Sequence, residues 1–346
     1  MLYIGIDNHK RFSQLTVSDK SGRIVKEGRI TNTMESLELF TKDLNDDYMA
    51  VLEAGPNWTV MHDILEEKAA DVVLAHPLKV RAIAEAKIKT DRIDSNILAH
   101  LLRADLIPRA YVPAPDTRDA KRMVRQRIFF TKLQTMTKNR IHAIIDRNPQ
   151  KRAELGEVTD LFGSLGKKWL AAVKLGKVDR ALLDKDLELL AEIKTLIASS
   201  DRWIASFVKD DDRAKLLKTI PGIGNILAAI IALEIDDVRR FRDQGKLVSY
   251  AGLVPSLHQS GSKSYKGPIT KEGNRYLRWA FVEAVWPAIR SDVSLKLYYE
   301  GIKAKKCANV AKVATARRIA MIAYRILSEN RTYFPGRPQR FLNGGA

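Results

Sequence analysis

Four acids, Asp7, Glu53, Asp91 and Asp94, are the residues of this chain whose types and spacing best suit chemistry. Asp7 closes a segment (residues 2–7) that alternates apolar with small or aromatic residues, as a strand does. Glu53 closes a second apolar segment, in Val51-Leu52-Glu53-Ala54-Gly55. Asp91 and Asp94 open a helical pattern, in Lys89-Thr90-Asp91-Arg92-Ile93-Asp94. Acids at the ends of neighbouring strands converge on a point, and a helix N-terminus brings a third and a fourth. Crowded carboxylates repel one another unless cations neutralise them. Oxygen-rich sites of this kind suit Mg²⁺ or Mn²⁺. Two such ions about 4 Å apart can hold the attacking and leaving oxygens of a phosphodiester. Each acid also has a plainer use. Asp91 can cap the helix with Asp94 at its third position, Asp7 can end a strand in a turn, and Glu53 can be a solvated strand end. The ordering of all four is harder to reduce to such uses.

A second chemistry-bearing stretch runs from Ala251-Gly252-Leu253-Val254-Pro255 through Ser256-Leu257-His258-Gln259-Ser260-Gly261-Ser262-Lys263. It reads as a polar, Gly/Ser-rich loop between apolar helices, followed by a basic, turn-rich segment, residues 266–275. A serine here, with Lys263, Lys271 and Arg275 nearby in sequence, can attack a phosphate whose charge those cations offset. Composition also fits a plain linker, and it does not choose among Ser256, Ser260, Ser262 and Ser264.

The elements that would position these groups fall into three regions. Residues 1–110 read as an α/β domain: two or three strands in meander order, then alternating strands and helices, the layout of an RNase H-like sheet. The first helix is expected over residues 34–44, with later helices over 57–68, from 76 to about 87, and 91–102. Pro108, Pro113 and Pro115 form a linker. Residues 111–210 read as a helical, coiled-coil region. Its second long helix carries Leu183, Leu190, Ile197 and Ile204 at seven-residue spacing, which suits packing on the earlier helix or dimerisation equally. Residues 211–346 read as mostly helical, opening on Ile220-Pro221-Gly222-Ile223-Gly224. That turn resembles a helix-hairpin-helix element, in which Gly222 and Gly224 let backbone N–H groups approach a phosphate; a simple helix–helix turn has the same signature.

Charge points to a polyanionic partner. The 346 residues carry a net charge of +18, yet residues 1–100 hold 13 Lys/Arg against 16 Asp/Glu. The basic excess therefore lies wholly in the remainder, as expected of a nucleic-acid binder. Between residues 121 and 148, eight basic residues (Lys121, Arg122, Arg125, Arg127, Lys132, Lys138, Arg140 and Arg147) face one acid, Asp146. A long helix of that composition suits a phosphate backbone. No run of about 18 apolar residues predicts a membrane span, and no basic-then-apolar leader is visible at the N-terminus. The single cysteine, Cys307, allows no internal disulfide and fits a reducing cytoplasm. No Walker-type loop is present in the sequence.

Taken together, Tyr3-Ile4-Gly5-Ile6-Asp7, Glu53-Ala54-Gly55, Lys89 to Asp94, Ile220 to Gly224, Ala251 to Pro255 and Gln259-Ser260-Gly261 give the chain a family likeness across nearly its whole length. It resembles the DEDD transposases of the insertion-sequence one-ten family, relatives of the Piv DNA invertase. The resemblance implies an N-terminal RuvC-like domain, a coiled-coil middle and a C-terminal transposase domain. It implies a Mg²⁺ (or Mn²⁺) site at Asp7, Glu53, Asp91 and Asp94, and a nucleophile at Ser260. It further implies donor and target DNA as substrates, an element-encoded bridge RNA as guide, and a tetramer assembled from dimers with composite sites. One local departure is Asn8-His9-Lys10, where small residues are commoner in the family.

Two other readings make different demands. A structure-selective junction nuclease would use the acids alone and leave Ser260 as loop. A non-catalytic nucleic-acid-binding protein would leave the four acids apart in space.

Overall fold

The computed structural model describes residues 1–84, 90–154, 156, 158–260 and 263–335, with residues 257–260 and 263–266 described by backbone alone. The chain divides into two compact units, Met1–Pro113 and Ala114–Ala346.

The first unit runs β1 (Leu2–Asn8), β2 (Phe12–Ser18), β3 (Ile24–Thr31), α1 (Met34–Thr41), β4 (Tyr48–Glu53), α2 (Trp58–Glu66), β5 (Asp71–Ala75), α3 (Pro77–Ile83) and α4 (Asp91–Arg103). One sheet, ordered β3-β2-β1-β4-β5, holds all five strands. β1, β2 and β3 pair antiparallel, while β4 and β5 run parallel to β1. A meander followed by strand–helix units is the order expected from the sequence. Strand alternation sorts the side chains. Ile4, Ile6, Ala50 and Leu52 pack beneath α1 and α2 with Leu37, Phe40, Met61 and Leu65. Val51 and Val73 face the other way, toward Leu98, Leu101 and Leu102 of α4. Asp7 shares its face with Gly5, and Glu53 shares its face with Val51, so both acids belong to the face that α4 covers.

Gly5 sets how close α4 can come. A Cβ there would lie 2.0 Å from the Ser95 carbonyl oxygen and 2.4 Å from the Ala99 nitrogen. The helix backbone therefore rests directly on β1. A buried hydrogen bond of 2.8 Å between Thr16 Oγ1 and Ser95 Oγ fixes the same helix to β2. Because the obstruction is backbone, relaxation would have to move the helix. Gly5→Ala is expected to destabilise the protein by at least about 3 kcal/mol, the upper end of ordinary overpacking. Urea denaturation followed by circular dichroism measures this, and a loss under about 1 kcal/mol would contradict the close approach.

The second unit contains α5 (Pro115–Asp146), α6 (Pro149–Glu154), α7 (Ser164–Ala172), α8 (Lys177–Asp210), α9 (Asp212–Lys218), α10 (Asn225–Ile235), α11 (Gln244–Tyr250), β6 (Pro255–Ser260), β7 (Lys263–Ile269), α12 (Arg275–Glu283), α13 (Val285–Ser291), α14 (Val293–Lys305) and α15 (Ala308–Ser328). α5 and α8 form an antiparallel hairpin, as the pairs Arg127–Asp201, Arg140–Asp186 and Arg147–Asp179 require. Leu183 and Leu190 of the seven-residue stripe pack against Ile141, Ile144 and Ile145 of the same chain. One end of the hairpin is built into the C-terminal helices. Val124, Ile128, Ile204 and Val208 join the core built by α9 to α15. The regions drawn at 111–210 and 211–346 thus share one hydrophobic core. Among the described residues no helix is long and apolar enough to cross a membrane.

Candidate metal site and basic region

Local sequence explains how the acids are placed. β1 and β4 run parallel in the register Ile6↔Leu52, so Asp7 and Glu53 follow as neighbours one position on. α4 begins beside them because Thr90 caps it: its Oγ1 accepts from the Ile93 N–H at 3.2 Å. Asp91 is thus the first helical residue rather than the cap. Asp91 and Asp94 both lie in the first turn, where the helix dipole favours carboxylates.

Asp7 and Asp91 converge on one point. Their Oδ2 atoms lie 3.3 and 3.2 Å from the same atom, His9 Nε2. Asp7, His9 and Asp91 offer ligand atoms that all lie within 4.8 Å of one another. Burial pushes the Asp7 carboxyl above its ordinary range; Asp91 and Asp94 push it further, and His9 opposes them. Asp94 is therefore close enough for its charge to be felt. Glu53 stands at the adjoining strand end but outside that tight trio. Arg29 closes one side, with Nη2 3.2 Å from Asp91 Oδ2 and its guanidinium over the Phe12 ring. Such a cluster of hard oxygen donors, short of countercharge, fits a divalent cation. A second group within the same distance limit, His62, Asp63 and Glu66, lies along α2. His9 was not among the candidates drawn from the sequence. The signal available was its position two residues after Asp7, close to the strand end.

The serine-bearing stretch is not a loop. Pro255–Ser260 and Lys263–Ile269 pair antiparallel, with Ser260 opposite Lys263 at the last rung before the turn. A two-residue Gly-Ser connection suits a tight hairpin, though Gly261 and Ser262 themselves lie outside the described residues. The side chains of Ser260 and Lys263 do as well. Beyond the hairpin, Lys271 and Arg275 are exposed. The segment is anchored by Asn274, which caps α12 through the Tyr276 and Leu277 N–H groups and donates to Glu234 at 2.8 Å.

The basic helix α5 is less free than its composition suggests. Arg125 forms a two-pronged pair with buried Glu234, at 2.8 and 3.0 Å. Arg127 is 13% exposed and bonded to Asp201, and Arg140 bonds Asp186. Lys121 is buried, and burial lowers its pKa despite nearby Glu234 and Asp236. All four are thus engaged within the unit's own structure, while the Arg125 and Arg140 side chains stay 41% and 66% exposed. Their acids come from α8 and α10, far along the chain. Lys138 lies 5.0 Å from the Phe162 ring centre. Arg122, paired with Asp119 at 3.0 Å, and Lys132 are exposed. Gly222 is likewise taken by packing. Its φ is +85°, and a Cβ there would lie 2.4 Å from the Ala284 carbonyl oxygen. Gly224, just ahead of α10, has nothing within that range.

Comparison with known proteins finds matches in both units. Residues 4–148 match the DEDD transposase model of the IS110 type, and residues 214–300 match the model "Transposase IS116/IS110/IS902 family". A "Probable family 20 transposase" of Pseudomonas aeruginosa is 31% identical over 222 residues, covering 57% of this chain and 64% of that protein. An IS116 insertion-element protein of Streptomyces clavuligerus is 28% identical, over 47% of this chain and 41% of its own length. The transposase of insertion sequence element IS1111A from Coxiella burnetii is 26% identical, over 40% of this chain and 39% of its own. The chain thus spans about two-fifths to two-thirds of these relatives. Two matching models in the expected order, one running from β1 through α5 and the other from α9 into α14, carry the conclusion that this chain belongs to the IS116/IS110/IS902 family of transposases.

Proposed function

We propose that the chain is a DNA recombinase that moves an insertion sequence, joining donor to target DNA through a covalent phosphoserine intermediate. The observation that carries the reading is the convergence of Asp7 and Asp91 on one point, with the Asp94 charge in reach, in a transposase-family chain. A non-catalytic binder has no use for that crowding. The order β3-β2-β1-β4-β5 supports an RNase H or RuvC-like identity for the first unit. Asp7, Glu53, Asp91 and Asp94 would hold Mg²⁺ or Mn²⁺, which offsets charge building on the scissile phosphate.

The serine does the covalent work. Ser260 Oγ attacks the phosphorus, giving up its proton, and the DNA 3′ oxygen leaves and takes one up. A phosphoserine link to the 5′ end results. After strands are exchanged, a free 3′ hydroxyl attacks the same phosphorus and Ser260 departs as the protonated hydroxyl. Each step trades one phosphoester for another, so no nucleotide hydrolysis is required. Lys263, Lys271 and Arg275, which come after the serine in sequence, would offset phosphate charge. Arg122, Arg125, Lys132 and Arg140, all exposed on α5, would offer phosphate contacts. A bridge RNA pairing with donor and target would supply sequence choice, leaving the protein to read duplex shape. Tetramers assembled from dimers would bring units of different protomers together, in a prokaryotic cytoplasm at the nucleoid.

The test is recombination with purified full-length protein, the element's RNA, donor DNA and target DNA. Joined product is expected with Mg²⁺ or Mn²⁺, and none in EDTA or without the RNA. Product formed equally in EDTA would overturn the metal reading. Cleavage without joining would favour a junction nuclease.

A further inference from the structure

We propose that His9 is itself a ligand of the cation held by Asp7 and Asp91, and that the site consequently takes Mn²⁺ in preference to Mg²⁺. This rests on the metal site proposed above and adds a nitrogen donor to a set otherwise made of oxygens.

The spacing is that of ligands on one ion. Nε2 lies 3.3 Å from Asp7 Oδ2 and 3.2 Å from Asp91 Oδ2. Ligands about 2.1 Å from a shared ion and at right angles to each other are about 3.0 Å apart. Nε2 is buried, and neither close contact has good hydrogen-bond geometry. Three polar atoms facing one point, without in-line hydrogen bonds, are better reconciled by a cation between them.

The ring is also held in place. It packs on Phe12 with centroids 4.7 Å apart, and the Arg29 guanidinium lies 4.0 Å from the centre of the same Phe12 ring. The turn that carries it is tied down at several points. His9 N–H donates to the Phe12 carbonyl at 2.9 Å, and Asn32 Nδ2 donates to the His9 carbonyl at 2.8 Å. Ser13 Oγ lies 2.9 Å from Asn8 Oδ1 and 2.8 Å from Asn32 Oδ1, and its one proton serves either oxygen. A side chain used only for solvation needs no such support.

The preference follows from donor chemistry. Mg²⁺ favours oxygen ligands and parts reluctantly with water. Imidazole raises affinity for first-row transition ions. The experiment titrates full-length protein with Mn²⁺, read by electron paramagnetic resonance, and repeats it in competition with Mg²⁺. Pulsed measurements on bound Mn²⁺ detect any coordinated ¹⁴N. Wild type should show nitrogen coupling. His9→Ala and His9→Asn should lose it, with Mn²⁺ affinity down about 10-fold or more and Mg²⁺ affinity changed far less. Unchanged circular dichroism would establish that both variants fold. Asp7→Asn separates the two readings. If it weakens both ions while His9→Ala leaves Mn²⁺ binding and its nitrogen coupling intact, the His9 assignment is wrong and the acid site stands. If Asp7→Asn binds Mn²⁺ as well as wild type, the acid site fails too.

Discussion

Asp7→Asn will abolish metal-dependent strand cleavage while raising the melting temperature of the metal-free protein. The two effects have one cause. Burial raises the Asp7 pKa first, and the charges of Asp91 and Asp94 raise it further. The folded protein therefore holds this proton more tightly than the unfolded chain does. Stability contributed by the group is present below the ordinary carboxylate range and is lost as pH rises through the raised folded value. At neutral pH ionised Asp7 is a cost, which an uncharged amide of the same shape removes. On the proposed function, the carboxylate is there to hold a cation. Losing it should lower cleavage by at least about 100-fold, beyond the 10–100-fold typical of changes to groups that merely support a ligand. Mg²⁺ or Mn²⁺ should raise the wild-type melting temperature by mass action and leave Asp7→Asn where it is. Thermal scans with and without metal, beside a cleavage assay, check both signs. A variant that melts earlier than wild type without metal, or that still responds to it, would contradict the account.

How much of this was legible in the sequence depends on the range over which each feature is determined. Asp7 and Glu53 at strand ends follow from period-two alternation, a local signal, and the sheet puts their strands side by side. The start of α4 at Asp91 was legible too, but its capping was not. Thr90 competes for the same role and takes it, so neither acid is spent on the cap. Gly5 looked like an ordinary small residue within a strand, because the helix backbone it admits lies about ninety residues on.

The basic helix shows the opposite failure. Counting acids between residues 121 and 148 left eight cations nearly uncompensated, yet Glu234, Asp201 and Asp186 reach Arg125, Arg127 and Arg140 from other helices. A local charge count sees only one wall of a packed unit. The hairpin of β6 and β7 was hidden by composition, since Ser, Gly and Lys suit a loop as well as a short exposed pair of strands. His9 escaped because a half-exposed histidine beside a turn has many uses. Only the three-dimensional position of Asp91 gives it one.

Ser260→Ala will remove the covalent protein–DNA adduct altogether while leaving metal binding intact. The prediction divides the two units by chemistry. Asp7, Asp91 and Asp94 lie in Met1–Pro113, whereas Ser260 ends β6 in the second unit, next to the turn. A missing hydroxyl takes away the attacking atom, and no neighbouring cation can substitute for it. Recombination should fall on the order of 10⁴-fold or more, the scale seen when a covalent nucleophile is deleted. Ser256→Ala, at the start of the same strand, and Ser264→Ala, in the facing strand, should keep the adduct, which tests the choice among the serines. DNA labelled at its 3′ end, downstream of the break, run on denaturing gels after protease treatment, reads the link directly. Mn²⁺ affinity and melting temperature of Ser260→Ala should match wild type. An adduct persisting in Ser260→Ala but lost in Ser264→Ala would move the nucleophile across the hairpin. Strand cleavage at full rate in Ser260→Ala, with no adduct in any variant, would mean that the acids activate water alone and that the chain cuts DNA as a nuclease.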